Sequence, residues 1–193
     1  MGDAMGDAFL TEGEHAAVEA AADALIPPLE DHPGGAALGV ADYVDGLLSA
    51  FDVHPPRIFA GGPFSGRKGG EPGFATFLPL GRHEELAWRT RIEGSRGIPE
   101  RERNGPTRGW QEIYRDGLAE LGDDFPECEP GERLRRLREQ PELLGILHPH
   151  ACEGAYGAPE YGGNRDLAGW RAIAYEGDVQ PRGYTDEQVT GRD

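Results

Sequence analysis

Cysteine is scarce in this chain, with only Cys128 and Cys152 among 193 residues. Two thiols are too few for a disulfide framework; a pairing between them and a pair of free buried thiols both remain open. Lysine is scarcer still, Lys68 being the only one. Positive charge is short altogether: 19 Lys and Arg stand against 35 Asp and Glu, a formal charge of −16. Such a surface repels phosphate backbones and anionic headgroups, which argues against nucleic-acid and anionic-lipid partners. No stretch of about 18 apolar residues occurs, so no membrane span is expected. The opening Met1–Ala8 has neither a basic n-region nor an apolar h-region, so no signal peptide is expected and a cytoplasmic location is favoured. Gly6 stands where a myristoylation site needs Ser or Thr.

Several nucleotide and haem signatures are missing too. There is no G-x-G-x-x-G between a strand and a helix, and no C-x-x-C-H. Gly61 to Lys68 invites a P-loop reading, but Arg67 stands where Lys is required and Lys68 where Ser or Thr would hold magnesium. Ser65 lacks the G-x-S-x-G spacing of a nucleophile elbow. Neither internal repeats nor alternating strand patterns occur.

What the chain does have is helical periodicity. Thr11 and Glu14 form a capping-box pattern, followed by Val18, Ala21, Ala22 and Leu25 on one face and by Pro27-Pro28 as a stop. Val40, Tyr43, Val44, Leu47, Leu48 and Phe51 make the clearest amphipathic stripe. Further helices are predicted over Glu84–Glu93, around Trp110, Ile113, Tyr114, Leu118 and Leu121, from Pro130 with Leu134 and Leu137, and from Pro141 with Leu143, Leu144, Ile146 and Leu147. Val44, Leu47, Leu48, Trp110, Tyr114 and Leu144 are the predicted core. Between these blocks lie many of the 30 glycines and 16 prolines, nearly a quarter of the chain. The reading is a mostly helical, all-α single domain over 1–193 with long ordered loops, a flexible stretch at 1–10 and an extended polar tail from Tyr175. Residues 54–81 are a Gly/Pro-rich arm whose Phe59 and Phe64 are too apolar for a free linker; it is expected to lie on a surface.

Two clusters invite chemistry. His148, His150, Cys152 and Glu153 carry zinc-ligand side chains, but no second Cys/His pair completes a four-ligand set. His54 or His83 could supply distant ligands. The simpler reading has His148 and His150 at the end of a helix, where cations suit the dipole. Glu153 and Asp166 could serve as an acid–base pair if burial separated their pKa values; in a chain so rich in carboxylates, hydrogen bonds to loop N–H groups or pairing with Arg165 or Arg171 is the plainer role. A stand-alone metal protein or enzyme built on the His148 cluster is the alternative function.

The most distinctive stretch is Glu153 to Trp170. Tyr156, Tyr161 and Trp170 are set among Gly154, Gly157, Gly162, Gly163 and Gly169, with Asn164 and Asp166 beside the turn. The residues alone fit an ordered loop that holds a small domain together. The spacing Pro159-x-Tyr-Gly-Gly-Asn-x5-Trp170, with the upstream Ala24-Leu-Ile-Pro27 and Pro33-Gly-Gly35, resembles the gluconate 2-dehydrogenase subunit 3 family. That resemblance implies an accessory subunit that carries no cofactor of its own. It would stabilise or mature a FAD-containing oxidoreductase subunit of the glucose–methanol–choline class. Many such complexes add a cytochrome c subunit. Family members often bear a twin-arginine export signal; none precedes Thr11 here, so the complex is expected to stay in the cytoplasm or to rely on a signal in the partner. On this reading the 54–81 arm and the Gly154–Trp170 loop meet the partner, through Phe59, Phe64, Tyr156, Tyr161, Asn164 and Trp170.

Overall fold

The computed structural model describes residues 8–60 and 76–177. Helix α1 (Glu12–Leu25) opens with the capping box: Glu14 N–H donates to Thr11 Oγ1 at 3.2 Å, and Thr11 N–H donates to Glu14 Oε2 at 2.8 Å. Its burial exceeds one face. Ala17, Val18, Ala20, Ala21, Ala22 and Ala24 are all buried, because alanine is small enough for neighbours to close in from several sides. Helix α2 (Val40–Leu48) lies along α1 and also contacts α6 (Pro141–Tyr156). Helix α5 (Pro130–Arg138) packs on both α1 and α6, and α4 (Trp110–Leu121) packs on α6. Helix α3 (Arg82–Ile92) leans on α4, and the short α7 (Ala168–Ala172) rests on α6. The expected all-α class holds: no strand occurs among the described residues, only isolated bridges at Leu29–His32 and Ala60–Phe77.

The return from α1 to α2 explains the Pro33-Gly-Gly35 element. After Pro27-Pro28 the chain doubles back over the last turn of α1. Gly35 N–H donates to Ile26 O at 2.9 Å, and Ala36 N–H to Asp23 Oδ1 at 2.9 Å. A Cβ on Gly35 would stand 2.6 Å from Ala22 O, closer than any real Cβ sits. The crossing is possible only with glycine there. Leu10, within the stretch expected to be flexible, is buried, and its N–H donates to Asp45 Oδ1 at 2.8 Å. Residues 1–7 lie outside the described residues.

The main core runs from Val18 and Ala21 through Leu38, Val44 and Leu48 to Tyr114, Leu143 and Leu147. A smaller cluster of Leu47, Ala50 and Ile92 sits to one side, under Phe51, Ile58, Trp88 and Trp110. Of the predicted core, Val44, Leu47, Leu48 and Tyr114 are buried, while Trp110 and Leu144 are half-buried. Helix α6 differs most from expectation. It continues through His148, Pro149 and His150 to Tyr156 and so takes in the first residues of the presumed loop. Proline inside a helix costs about 3 kcal/mol. Burying Leu143 and Leu147 on the inner face contributes roughly 1.5–3 kcal/mol each, which offsets it.

Candidate interaction site

The Gly154–Trp170 stretch is a clasp laid on the end of α6. Gly162 makes the turn with φ +108°, and Gly163 then passes so close that a Cβ there would stand 2.0 Å from Gly154 O. Asn164, left-handed at φ 47° and fully buried, is the knot. Its N–H donates to Gly154 O at 2.6 Å, its Nδ2 donates to Gly157 O at 2.9 Å, and its Oδ1 accepts from Gly169 N–H at 3.0 Å. Gly169 in turn lies against Ala155 O, where a Cβ would approach to 2.0 Å. Trp170 closes the clasp, with Nε1–H donating to Tyr156 O at 2.7 Å.

The next residues tie the clasp to the front of the fold. Arg165 N–H donates to Leu38 O at 3.1 Å, and its guanidinium bonds Asp42, whose other oxygen meets His15 Nε2 at 3.0 Å. Burial pushes the Asp42 carboxyl up, but the hydrogen bonds from Arg165 and His15 outweigh it and hold the pKa below its usual value. Asp166 is left-handed at φ 56°, with only its carbonyl engaged, by Arg171. That conformation costs an L-residue about 1–2 kcal/mol, and glycine gives back roughly 0.4–1 kcal/mol through its freer unfolded state. Asp166→Gly should therefore raise stability by about 0.5 kcal/mol, read as a higher urea midpoint; a fall would mean that the Asp166 side chain has a role.

The sequence-predicted partner residues separate accordingly. Asn164 and Trp170 are buried, and their hydrogen bonds hold the clasp. Tyr156 and Tyr161 are half-buried. His32 Nδ1 accepts from Gly34 N–H at 3.1 Å, which leaves the proton on Nε2, 2.9 Å from the Tyr156 hydroxyl. Tyr161 anchors the base of the arm: its hydroxyl accepts from Ala60 N–H at 3.2 Å, and Phe77 meets its ring edge-on at 5.6 Å. Leu78 N–H donates to Phe59 O at 2.9 Å, and both side chains are exposed, Phe59 at 55% and Leu78 at 42%. Phe64 and the rest of 61–75 lie outside the described residues, as does the predicted tail beyond 177.

The reactive clusters are dispersed. His150 faces inward and does not cap a helix end: its Nδ1 is 3.0 Å from the Tyr114 hydroxyl, and Trp110 meets its ring edge-on at 4.6 Å. Burial lowers its pKa to about 4, although the charge of Glu153 pulls the other way. Burial likewise raises Tyr114, so the phenol keeps its proton. Glu153 accepts from the Tyr43 hydroxyl at 2.7 Å, and neither Arg165 nor Arg171 reaches it. His148 is exposed, Cys128 and Cys152 are free, and no metal-holding group of three His, Cys, Asp or Glu forms among the described residues. No helix among them is long and apolar enough to cross a membrane.

What the sequence reading missed is a groove. Over the smaller cluster, two cavities of about 340 and 280 Å³ adjoin and share Tyr43, Leu47, Trp88 and Glu153. The first adds Trp110, Ile146 and Pro149; the second adds Ile58, Ala158 and Tyr161. Trp88 and Trp110 meet edge-to-face at 6.2 Å on its wall. The signal was present in the α2 stripe, which is two rows wide. Val40, Val44 and Leu48 point to the core at 0–1% exposure, while Tyr43, Leu47 and Phe51 form a second row facing the smaller cluster.

The family model for gluconate 2-dehydrogenase subunit 3 matches residues 12–177, which take in the Leu-Ile-Pro turn, the groove and the whole clasp. No curated protein and no solved structure matches. The chain belongs to the gluconate 2-dehydrogenase subunit 3 family.

Proposed function

We propose that this chain is a non-catalytic accessory subunit that binds a FAD-dependent sugar or alcohol dehydrogenase subunit of the glucose–methanol–choline class and stabilises or matures it. The family match over residues 12–177 carries the reading. The flavin belongs to the larger subunit, and a cytochrome c subunit is the natural electron acceptor. The surface suits this role. Phe59 and Leu78 form an exposed apolar pair at the arm base, next to an aromatic groove, and such anchors gain most when a partner excludes water around them.

The test is production of the dehydrogenase subunit of the same organism with and without this chain. Co-elution, with flavin retention and melting temperature raised by the chain, is expected. A flavoprotein that folds, holds flavin and works equally well alone, with no co-elution, would overturn the proposal. Phe59→Ser combined with Leu78→Ser should weaken association by about 2 kcal/mol if the pair is a central anchor, with the melting temperature of the isolated chain unchanged. Unchanged affinity in a titration of the folded double variant would remove this patch from the interface.

A further inference from the structure

The groove over the smaller cluster carries a charge pattern that the clasp and core do not explain. Arg89 on α3 and Arg108, two residues before Trp110, are already engaged: Arg89 bonds Glu85 at 2.7 Å and Glu93 at 2.5 Å, and Arg108 bonds Glu112 at 3.1 Å and Asp116 at 2.5 Å. Arg57 and Arg91 have no carboxylate partner among the described residues, in a chain whose net charge is −16. Each lines a different half of the groove, Arg91 beside Trp110 and Ile146, Arg57 beside Ile58 and Tyr161. Arg91 also sits 5.2 Å over the Trp88 ring, which holds its guanidinium against the wall. Between them, Glu153 receives the Tyr43 hydroxyl on Oε2. The lining is thus largely aromatic and aliphatic, with His150 in the first half, a cation in each half and an acceptor in the shared middle.

We infer that this groove seats an extended apolar segment of the dehydrogenase subunit, bracketed by carboxylates that meet Arg57 and Arg91. The inference rests on the accessory-subunit reading and adds the docking site and the chemistry of the docked segment. Arginine binds carboxylates in a two-pronged geometry. Glu153 repels a carboxylate from the middle of the groove and accepts a backbone N–H there, so acids belong at the ends and apolar side chains between them. Tyr43, Trp88 and Trp110 give those side chains rigid walls, as aromatic-lined grooves do for extended peptides.

The test titrates the folded chain against the FAD-loaded dehydrogenase subunit. Arg57→Glu and Arg91→Glu, both exposed on the wild-type surface, should each raise Kd tenfold or more, and so should Trp88→Ala. The wild-type Kd should rise more steeply between 50 and 500 mM salt, set as experimental conditions, than that of the double arginine variant. Circular dichroism and melting of the arginine variants should match wild type, so that failure of Trp88→Ala to fold leaves the question answerable. Wild-type affinity in both arginine variants would overturn the groove assignment while leaving the subunit reading in place. No complex with the wild-type chain would instead bring down that reading, and this inference with it. If the chain self-associates, and Arg57→Glu and Arg91→Glu abolish only that, the occupant is a second copy and the inference is wrong.

Discussion

Asn164→Ala is expected to lower the unfolding free energy by about 3–5 kcal/mol. The side chain is fully buried and joins two segments of the clasp: Nδ2 donates to Gly157 O at 2.9 Å, and Oδ1 accepts from Gly169 N–H at 3.0 Å. Truncation strips both partners of a bond in a place that water does not reach, at roughly 1–3 kcal/mol for each unsatisfied group. Alanine must also hold φ 47°, which asparagine tolerates better. Gly163→Ala should act in the same direction, since its Cβ would collide with the backbone oxygen of Gly154. Urea unfolding of each variant at neutral pH measures the loss. A midpoint for Asn164→Ala equal to wild type would show that the clasp is decorative, and partner binding would again become the simplest role for the motif.

Acid should expose the cost of keeping His150 neutral. Its folded pKa is about 4, below the unfolded value of 6.5. Between those values the unfolded chain holds a proton that the folded chain does not. The stabilisation is therefore complete above about pH 6.5 and is lost as pH falls toward 4, by up to about 3 kcal/mol over the whole window. Neutralisation of the surplus carboxylates stabilises in the opposite direction over part of the same range. The clean comparison is with His150→Gln, which keeps a polar group beside Tyr114. The stability gap between wild type and His150→Gln should shrink by roughly 2 kcal/mol between pH 7.5 and pH 5.0. A gap that does not change with pH would mean that His150 stays accessible to protons in the fold.

Helix α2 was legible because its apolar spacing is uninterrupted and its ends are marked by Gly39 and Ser49. The width of its stripe was legible too, but not that one row faces the core and the other a groove; that depends on where α3 and α4 bring Trp88 and Trp110. The far end of α6 was hidden by Pro149, whose local cost is plain in sequence while the burial that offsets it is not. The same hidden helix misplaced His150, read as a capping cation and found as a neutral buried base. In the Tyr-Gly-Gly-Asn stretch the residue types showed that the backbone must turn and approach closely. They could not show that the approach is to the chain's own α6, so Asn164 and Trp170 were assigned outward when they point in.

The clasp also sets an order in time. Arg165 meets Asp42 across 123 residues of chain, so this closure waits until all of those residues have been made. At about 5–20 residues per second, roughly 6–25 s pass between synthesis of the two halves of that contact. During that interval α1 and α2 exist without the segment that fastens them to the end of α6. The nascent chain is open during those seconds and closes only once Arg165 has been made. A ribosome that stalls or a transcript that stops before residue 164 would release a chain with its front helices unfastened, a ready substrate for quality-control proteases.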